Sequence, residues 1–161
     1  MNEFCFVNSP IGVLELEAES NFISRIKFRG GESLQLCEEI KKVGESPTLT
    51  EASKQIDEYF NGTRKLFEMP FKLNVPPFYK KVLLEVQKVK YGDVASYGKI
   101  AQMAGSNRAA RVVGTANAKN PLPIIIPCHR IISLSGNIGG YSGGLDKKLY
   151  LLDHESNSFH Q

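Results

Sequence analysis

The chain reads as a small α/β domain over residues 1–75, followed by a mainly helical domain over residues 76–161 that contains a helix-turn-helix. Three observations predict this. Residues 13–19 alternate in polarity as a strand does. The stretch "FEMPFKLNVPPF", residues 67–78, holds three prolines and little period, so the boundary is placed there. Beyond it, apolar residues recur at helical spacing and end in two short helices around a glycine turn.

In "VLELEAE", Leu14, Leu16 and Ala18 share one face, while Val13, Glu15 and Glu17 share the other. Asn8-Ser9-Pro10-Ile11-Gly12 is a turn, so Phe4–Val7 and Val13–Glu19 are expected to pair as a hairpin. Phe22–Phe28 follows Ser20-Asn21 as a third strand. Helices are expected over Ser33–Val43 and Thr50–Asn61. The second carries a capping box of Thr48 with Glu51, a stripe of Ala52, Ile56, Tyr59 and Phe60, and a stop at Gly62.

In the second half, Phe78, Val82, Val86 and Val89 fall on one face of a helix ending near Tyr91-Gly92. Ser96 caps a short helix from Tyr97 to Ala104, and Gly105 ends it. Ser106 or Asn107 caps the next, which runs to Ala118. Along that helix Arg108, Arg111 and Thr115 share one face, and Ala110, Val113 and Asn117 another. Its many small residues, Gly114 among them, let its backbone approach either a neighbouring helix or a ligand surface closely.

Composition narrows the function classes. Residues 1–75 hold 9 Lys and Arg against 12 Asp and Glu, net −3, whereas residues 76–161 hold 11 against 5, net +6. A basic second half with a helix-turn-helix favours contact with nucleic acid. No run reaches the roughly 18 apolar residues of a membrane span. The start "MNEFCFVNSP" lacks the pattern of a secretory signal. Three scattered cysteines, Cys5, Cys37 and Cys128, then suit reduced thiols in the cytoplasm. All three histidines lie at 129 or later and no cysteines cluster, so no metal site and no cofactor are expected.

The chemistry concentrates in "NPLPIIIPCHRIIS", residues 120–133, where Cys128 and His129 adjoin. A cysteine in an apolar run is commonly a small buried hydrophobe, and a histidine beside it a hydrogen-bonded structural residue. The alternative is an activated nucleophile. Free thiols have a pKa of about 8.5, and lowering it by about 2 units takes roughly 2.7 kcal/mol of preferential thiolate stabilisation. His129 is the candidate base, and Glu155 in "LLDHE" its candidate orienter, returned by a helix built on Leu145, Leu149 and Leu152. The glycine-dense "SGNIGGYSGG", residues 135–144, suits a pocket wall or a flexible loop and does not match a phosphate-binding GxGxxG.

"IPCHRI" with the upstream Asn120-Pro121, "YSGGL" and "LLDHE" together closely resembles the O6-alkylguanine-DNA alkyltransferases, the methylated-DNA–protein-cysteine methyltransferases. "NSPIGVLEL" is similar to the start of that family's first domain, though far less specifically. The resemblance implies a ribonuclease-H-like first domain and a winged-helix-like second one. It makes Cys128 the alkyl acceptor, His129 its base through a water, Glu155 the carboxylate that orients His129, and Asn120 a hinge residue near the sulfur. Tyr97 would help protonate the leaving guanine, and Tyr141 and Ser142 would close the pocket around O6. Main-chain carbonyls near Cys128 and Ile131 would recognise the exocyclic amine. Arg111 would enter the duplex where the base was, with Arg108, Ala110, Gly114 and Thr115 along the same minor-groove helix. The implied partner is double-stranded DNA containing O6-alkylguanine, and the implied reaction is single-turnover repair by a monomer. Two alternatives stay open: a non-catalytic alkyltransferase-like lesion-binding protein, whose known versions lack the cysteine, and a Cys-His-Glu hydrolase. The short tail "SNSFHQ" suggests no appended module.

Overall fold

The computed structural model describes residues 2–29, 46–105, 110–133, 135 and 138–157. The expected helix at Ser33–Val43, and with it Cys37, lies outside the described residues. The chain forms two compact units, Met1–Leu73 and Asn74–Gln161.

In the first unit three antiparallel strands, β1 (Asn2–Ser9), β2 (Gly12–Glu19) and β3 (Phe22–Phe28), form a meander in sequence order. Both connections are two residues long, and local chemistry sets each. Ser9 Oγ accepts from the Ile11 N–H at 3.2 Å across the first turn. At the second, Ser20 and Asn21 both take positive φ, 50° and 68°, the pair of left-handed residues that matches the twist of a tight hairpin.

On β2, Leu14, Leu16 and Ala18 are buried as the alternation requires, and Val13 and Glu15 on the opposite face are buried too. The Arg29 guanidinium lies 2.6 Å from the Glu15 carboxylate, which gives that buried charge a partner.

Helix α1 (Pro47–Phe60) packs Leu49, Ala52, Ile56 and Tyr59 against this sheet. Its N-cap lies two residues before the expected one, Thr48. Ser46 is its N-cap and Pro47 its first residue, because proline's fixed φ and missing N–H suit that position. The proline-rich stretch is also more ordered than a linker. Ile23 N–H donates to the Pro70 carbonyl at 3.0 Å and Lys72 N–H to the Ile23 carbonyl at 2.9 Å, laying residues 70–72 along β3. Gln55 serves the same segment like a piece of backbone. It donates to the Glu68 carbonyl at 2.9 Å and accepts from the Glu68 N–H at 2.8 Å.

The second unit is helical: α2 (Pro77–Gln87), α3 (Tyr97–Met103), α4 (Ala110–Ala118) and α5 (Leu145–Asn157). Ser96 caps α3 as expected, its Oγ accepting from the Lys99 N–H at 3.0 Å, and α3 and α4 pack together as a helix-turn-helix. Helix α2 ends earlier than its apolar period suggests. Val82, Leu83 and Val86 are buried, while Val89 lies past the C-cap Lys88. Two-residue strands β4 (Ala95–Ser96) and β5 (Ile131–Ile132) pair in parallel and tie the start of α3 to the segment after Cys128. No helix among the described residues is long and apolar enough to cross a membrane.

Gln55→Ala removes both partners of a half-buried backbone unit, so it should lower stability by about 1–3 kcal/mol in urea unfolding.

Candidate active site

The segment that delivers Cys128 is shaped by its own side chains. Asn120 Nδ2 donates to the Ile126 carbonyl at 2.9 Å, while Asn120 Oδ1 accepts from the Leu122 N–H at 3.0 Å. The loop so closed forces Ile124 to a φ of 76°, a strained conformation for a β-branched residue, and buries its side chain. The chain leaves this loop at Pro127 and turns once in a 3-10 helix, Cys128–Arg130. That turn points the three consecutive side chains in different directions, and all three are buried.

Cys128 faces a cavity of about 280 Å³ lined also by Tyr97, Gly114, Asn117, Ala118, Gly140, Tyr141 and Ser142. His129 is fully buried, its Nε2 lying 2.7 Å from Glu155 Oε1. Arg130 holds the same carboxylate with two donors, Nε to Oε2 at 2.9 Å and Nη2 to Oε1 at 2.9 Å. Its Nη1 donates to the Val89 carbonyl at 2.6 Å, and its guanidinium lies over the Tyr91 ring at 5.7 Å. Helix α2 ends early so that Val89 can offer that carbonyl.

Electrostatics follow from these contacts. Burial alone would raise the Glu155 carboxyl, but the donors of His129 and Arg130 overcome it and bring the pKa from 4.5 down to about 2. Glu155 is therefore an acceptor only, so the His129 proton sits on Nε2 and Nδ1 is left as the bare base. Nδ1 has no hydrogen-bond partner among the described residues. Burial lowers the His129 pKa below 6.5 despite Glu155, which keeps the ring neutral at physiological pH. Burial also dominates at Cys128. It pushes the thiol up to about 11, only partly offset by the Asn120 side chain and the Lys148 charge. The sequence reading called for surroundings that favour the thiolate. At rest the sulfur instead keeps its proton, because burial desolvates the anion.

Tyr97 and the glycine loop meet at one point. The Gly139 backbone, at φ 76°, runs so close to the Tyr97 hydroxyl that a Cβ there would sit 2.6 Å from it. Burial, reinforced by Cys128, raises the pKa of Tyr97 and raises that of Tyr141 well above 10, so both hydroxyls stay protonated.

Tyr97, Gly114, Cys128, Tyr141 and Ser142 thus line one cavity, with His129, Glu155 and Asn120 behind it. Ile131 is set apart: its carbonyl already accepts from Lys148 Nζ at 2.6 Å. On α4, Ala110, Arg111 and Thr115 are exposed, whereas Val113 and Asn117 are buried, so Ala110 joins the Arg111 face rather than the Val113 face. Arg108 lies outside the described residues.

The helix carrying Glu155 is rotated from its expected face. Leu145 and Leu149 are exposed, and Lys148, Leu151 and Glu155 are buried. Apolar periodicity failed because two of the inward positions are charged.

Sequence reasoning missed Arg130, Lys148 and Asn117. Arg130 was adjacent to the motif, and the spacing of Lys148 two turns before Glu155 was a usable signal. Lys148 Nζ also donates to the Gly140 carbonyl at 3.2 Å, so it fastens the glycine loop to β5.

Comparison with known proteins decides the family. A model of the 6-O-methylguanine DNA methyltransferase ribonuclease-like domain matches residues 4–73, and one of that family's DNA-binding domain matches residues 77–157. The chain belongs to the 6-O-methylguanine DNA methyltransferase family.

A constitutive methylated-DNA–protein-cysteine methyltransferase of Bacillus subtilis is 36% identical over 99% of this chain and 98% of its own. The crystal structure of Mycobacterium tuberculosis O6-methylguanine methyltransferase superposes with a TM-score of 0.85 at 32% identity, covering 98% of this chain and 94% of that one. A structure of the same methyltransferase in complex with DNA gives 0.84 at 32% identity over 96% and 93%. The ribonuclease-like first domain and helical DNA-binding second domain of this methyltransferase family are therefore the architecture seen here.

The Glu155 cluster makes stability depend on acid. Below pH 4.5 the unfolded carboxyl takes a proton that the folded one refuses down to about 2, and below 6.5 unfolded His129 does the same. Both effects remove stability as pH falls. Glu155→Gln should cost about 3–5 kcal/mol at pH 7. It should also flatten the decline below about pH 4.5, where the carboxyl titrates, and leave in place the decline below 6.5 that His129 causes, as read by urea unfolding at each pH.

Proposed function

We propose that this chain repairs DNA by direct reversal, moving an alkyl group from O6 of a flipped-out guanine to Sγ of Cys128, once per molecule. The observation that supports this most is the juxtaposition of Cys128 in a cavity wall with a neutral His129 whose Nε2 is tethered to Glu155.

The steps follow from that arrangement. The alkylated carbon lies inside the base stack of a duplex, so the nucleotide must leave the helix before sulfur can reach it. The cavity then takes the base. His129 Nδ1 accepts the thiol proton, directly or through one water, and the imidazolium that forms is stabilised by Glu155. The thiolate displaces at the alkyl carbon. A carbon–sulfur bond forms, the carbon–O6 bond breaks, and the electron pair stays on the guanine. Tyr97, protonated and lining the cavity, donates to the departing base, and the loop residues Tyr141 and Ser142 neutralise charge developing near O6. The thioether has no ester for water to cleave, so the protein is consumed.

Recognition of DNA is assigned to α4. Its exposed residues Ala110, Arg111 and Thr115, with Gly114, form a narrow face suited to a minor groove. Arg111 fills the gap left by the extruded base, and Arg108, three residues earlier in the sequence, is assigned to DNA contact as well. Lys99 and Lys119 add phosphate contacts without sequence preference.

Incubation with a duplex bearing O6-methylguanine should raise the intact mass by about 14 Da per chain, the net of one methyl gained and one proton lost. Cys128→Ser should show no gain while still binding the duplex. Repeated product release without a mass change would instead identify a hydrolase. The rate of transfer should fall as pH drops through the lowered His129 pKa, because the protonated ring cannot accept the thiol proton.

A further inference from the structure

We infer that Asn117 is a specificity residue: its Oδ1 accepts a hydrogen bond from the exocyclic amine of the substrate base, and so selects alkylated guanine over alkylated bases without that amine. The inference rests on the function proposed above and adds a residue to that cavity.

Asn117 lies on the inner side of α4, is 8% exposed, and lines the cavity beside Cys128. Its Nδ2 donates to the Cys128 carbonyl at 3.5 Å. That contact fixes the amide, since the opposite orientation would set two acceptor oxygens against each other. Oδ1 is then a buried acceptor with no hydrogen-bond partner among the described residues. The other polar side chains of the cavity wall are hydroxyls and a thiol, which can both donate and accept. The Asn117 amide oxygen can only accept, and it awaits an N–H.

The substrate has one kind of N–H to offer. Alkylation at O6 leaves N1 of guanine as a bare lone pair, so the 2-amino group is the only donor on that edge. O4-alkylthymine, with a bare N3 and no amine, has none. Asn117 and the adjoining Cys128 carbonyl together present acceptors to an amine and an unmatched oxygen to a base that lacks one. A site built to bond a group discriminates against the analogue without it, because its own polar atom stays buried and unpaired. The Ile131 carbonyl, engaged by Lys148, is less available for this purpose.

The test compares single-turnover rates on two duplexes, one with O6-methylguanine and one with 6-methoxypurine, the same base without its amine. Wild-type protein should favour O6-methylguanine. In Asn117→Leu that preference should shrink by roughly threefold to tenfold, one hydrogen bond's worth. The rate on 6-methoxypurine should change much less. Taking the ratio of ratios cancels the different ease of flipping the two bases. If Asn117→Leu slows both substrates equally, Asn117 is only structural and the inference is overturned. Equal wild-type rates on the two bases in single strands, where neither must leave a duplex, overturn it with no variant needed, which covers the case of a variant that does not fold. Failure of wild-type protein to take methyl from either duplex would instead overturn the proposed function.

Discussion

One buried carboxylate organises the second unit. Glu155 is 1% exposed and meets the His129 ring, two arms of Arg130 and, more distantly, the Gly92 N–H at 3.5 Å. Ion burial costs several kcal/mol per charge and is recovered only when geometry is good and the remaining polar atoms are satisfied. Here the bidentate guanidinium supplies that geometry, and its last arm is taken up by Val89. Three pieces of chain far apart in sequence are thereby locked together: the loop after α2, the 3-10 turn at Cys128, and α5. The consequence for the proposed chemistry is a tautomer. With Glu155 ionised, His129 presents Nδ1 as a base without any further device.

The same helix explains the rest of the cavity. Lys148 and Glu155 are seven residues apart, two helical turns, so both point inward while Leu145 and Leu149 point out. Glu155 controls the base behind the sulfur. Lys148 donates to Ile131 and Gly140 and so positions the loop carrying Tyr141 and Ser142. Gly139 lets that loop pass against the Tyr97 hydroxyl, where any side chain would collide. A helix with charged residues on its buried face is a poor stability design and a good one for holding two walls of a site.

What the sequence disclosed divides along a physical line. Features set by near neighbours were legible: the first hairpin and the third strand, the Ser20-Asn21 turn, the Ser96 cap and the Cys128-His129 pair. Glu155, 26 residues from His129, was reached only through the need for an orienter and the family motif. Features set by tertiary context were not. Nothing local distinguishes Leu145 and Leu149, exposed, from Leu151, buried, once charged residues claim the inward positions. Two-residue strands such as β4 and β5 are too short to show a period. Asn117 looked like one polar residue on an apolar face, and only its burial beside the Cys128 carbonyl marks it.

The thiol's resting state bears on how such a protein survives until it meets its lesion. With a pKa near 11, ionising Cys128 at pH 7 costs on the order of 5 kcal/mol, so the free thiolate is scarce. An anion exposed continuously would react with oxidants and stray alkylators, and a protein used once cannot recover from that. In the mechanism proposed above, burial supplies the protection and His129 the release. Proton transfer from sulfur to Nδ1 exchanges an isolated buried thiolate for one beside an imidazolium that Glu155 already stabilises. On that proposal the nucleophile is generated as an ion pair inside the cavity, and only donors brought to the departing oxygen make that pair productive. Reactivity belongs to the occupied site rather than to the cysteine.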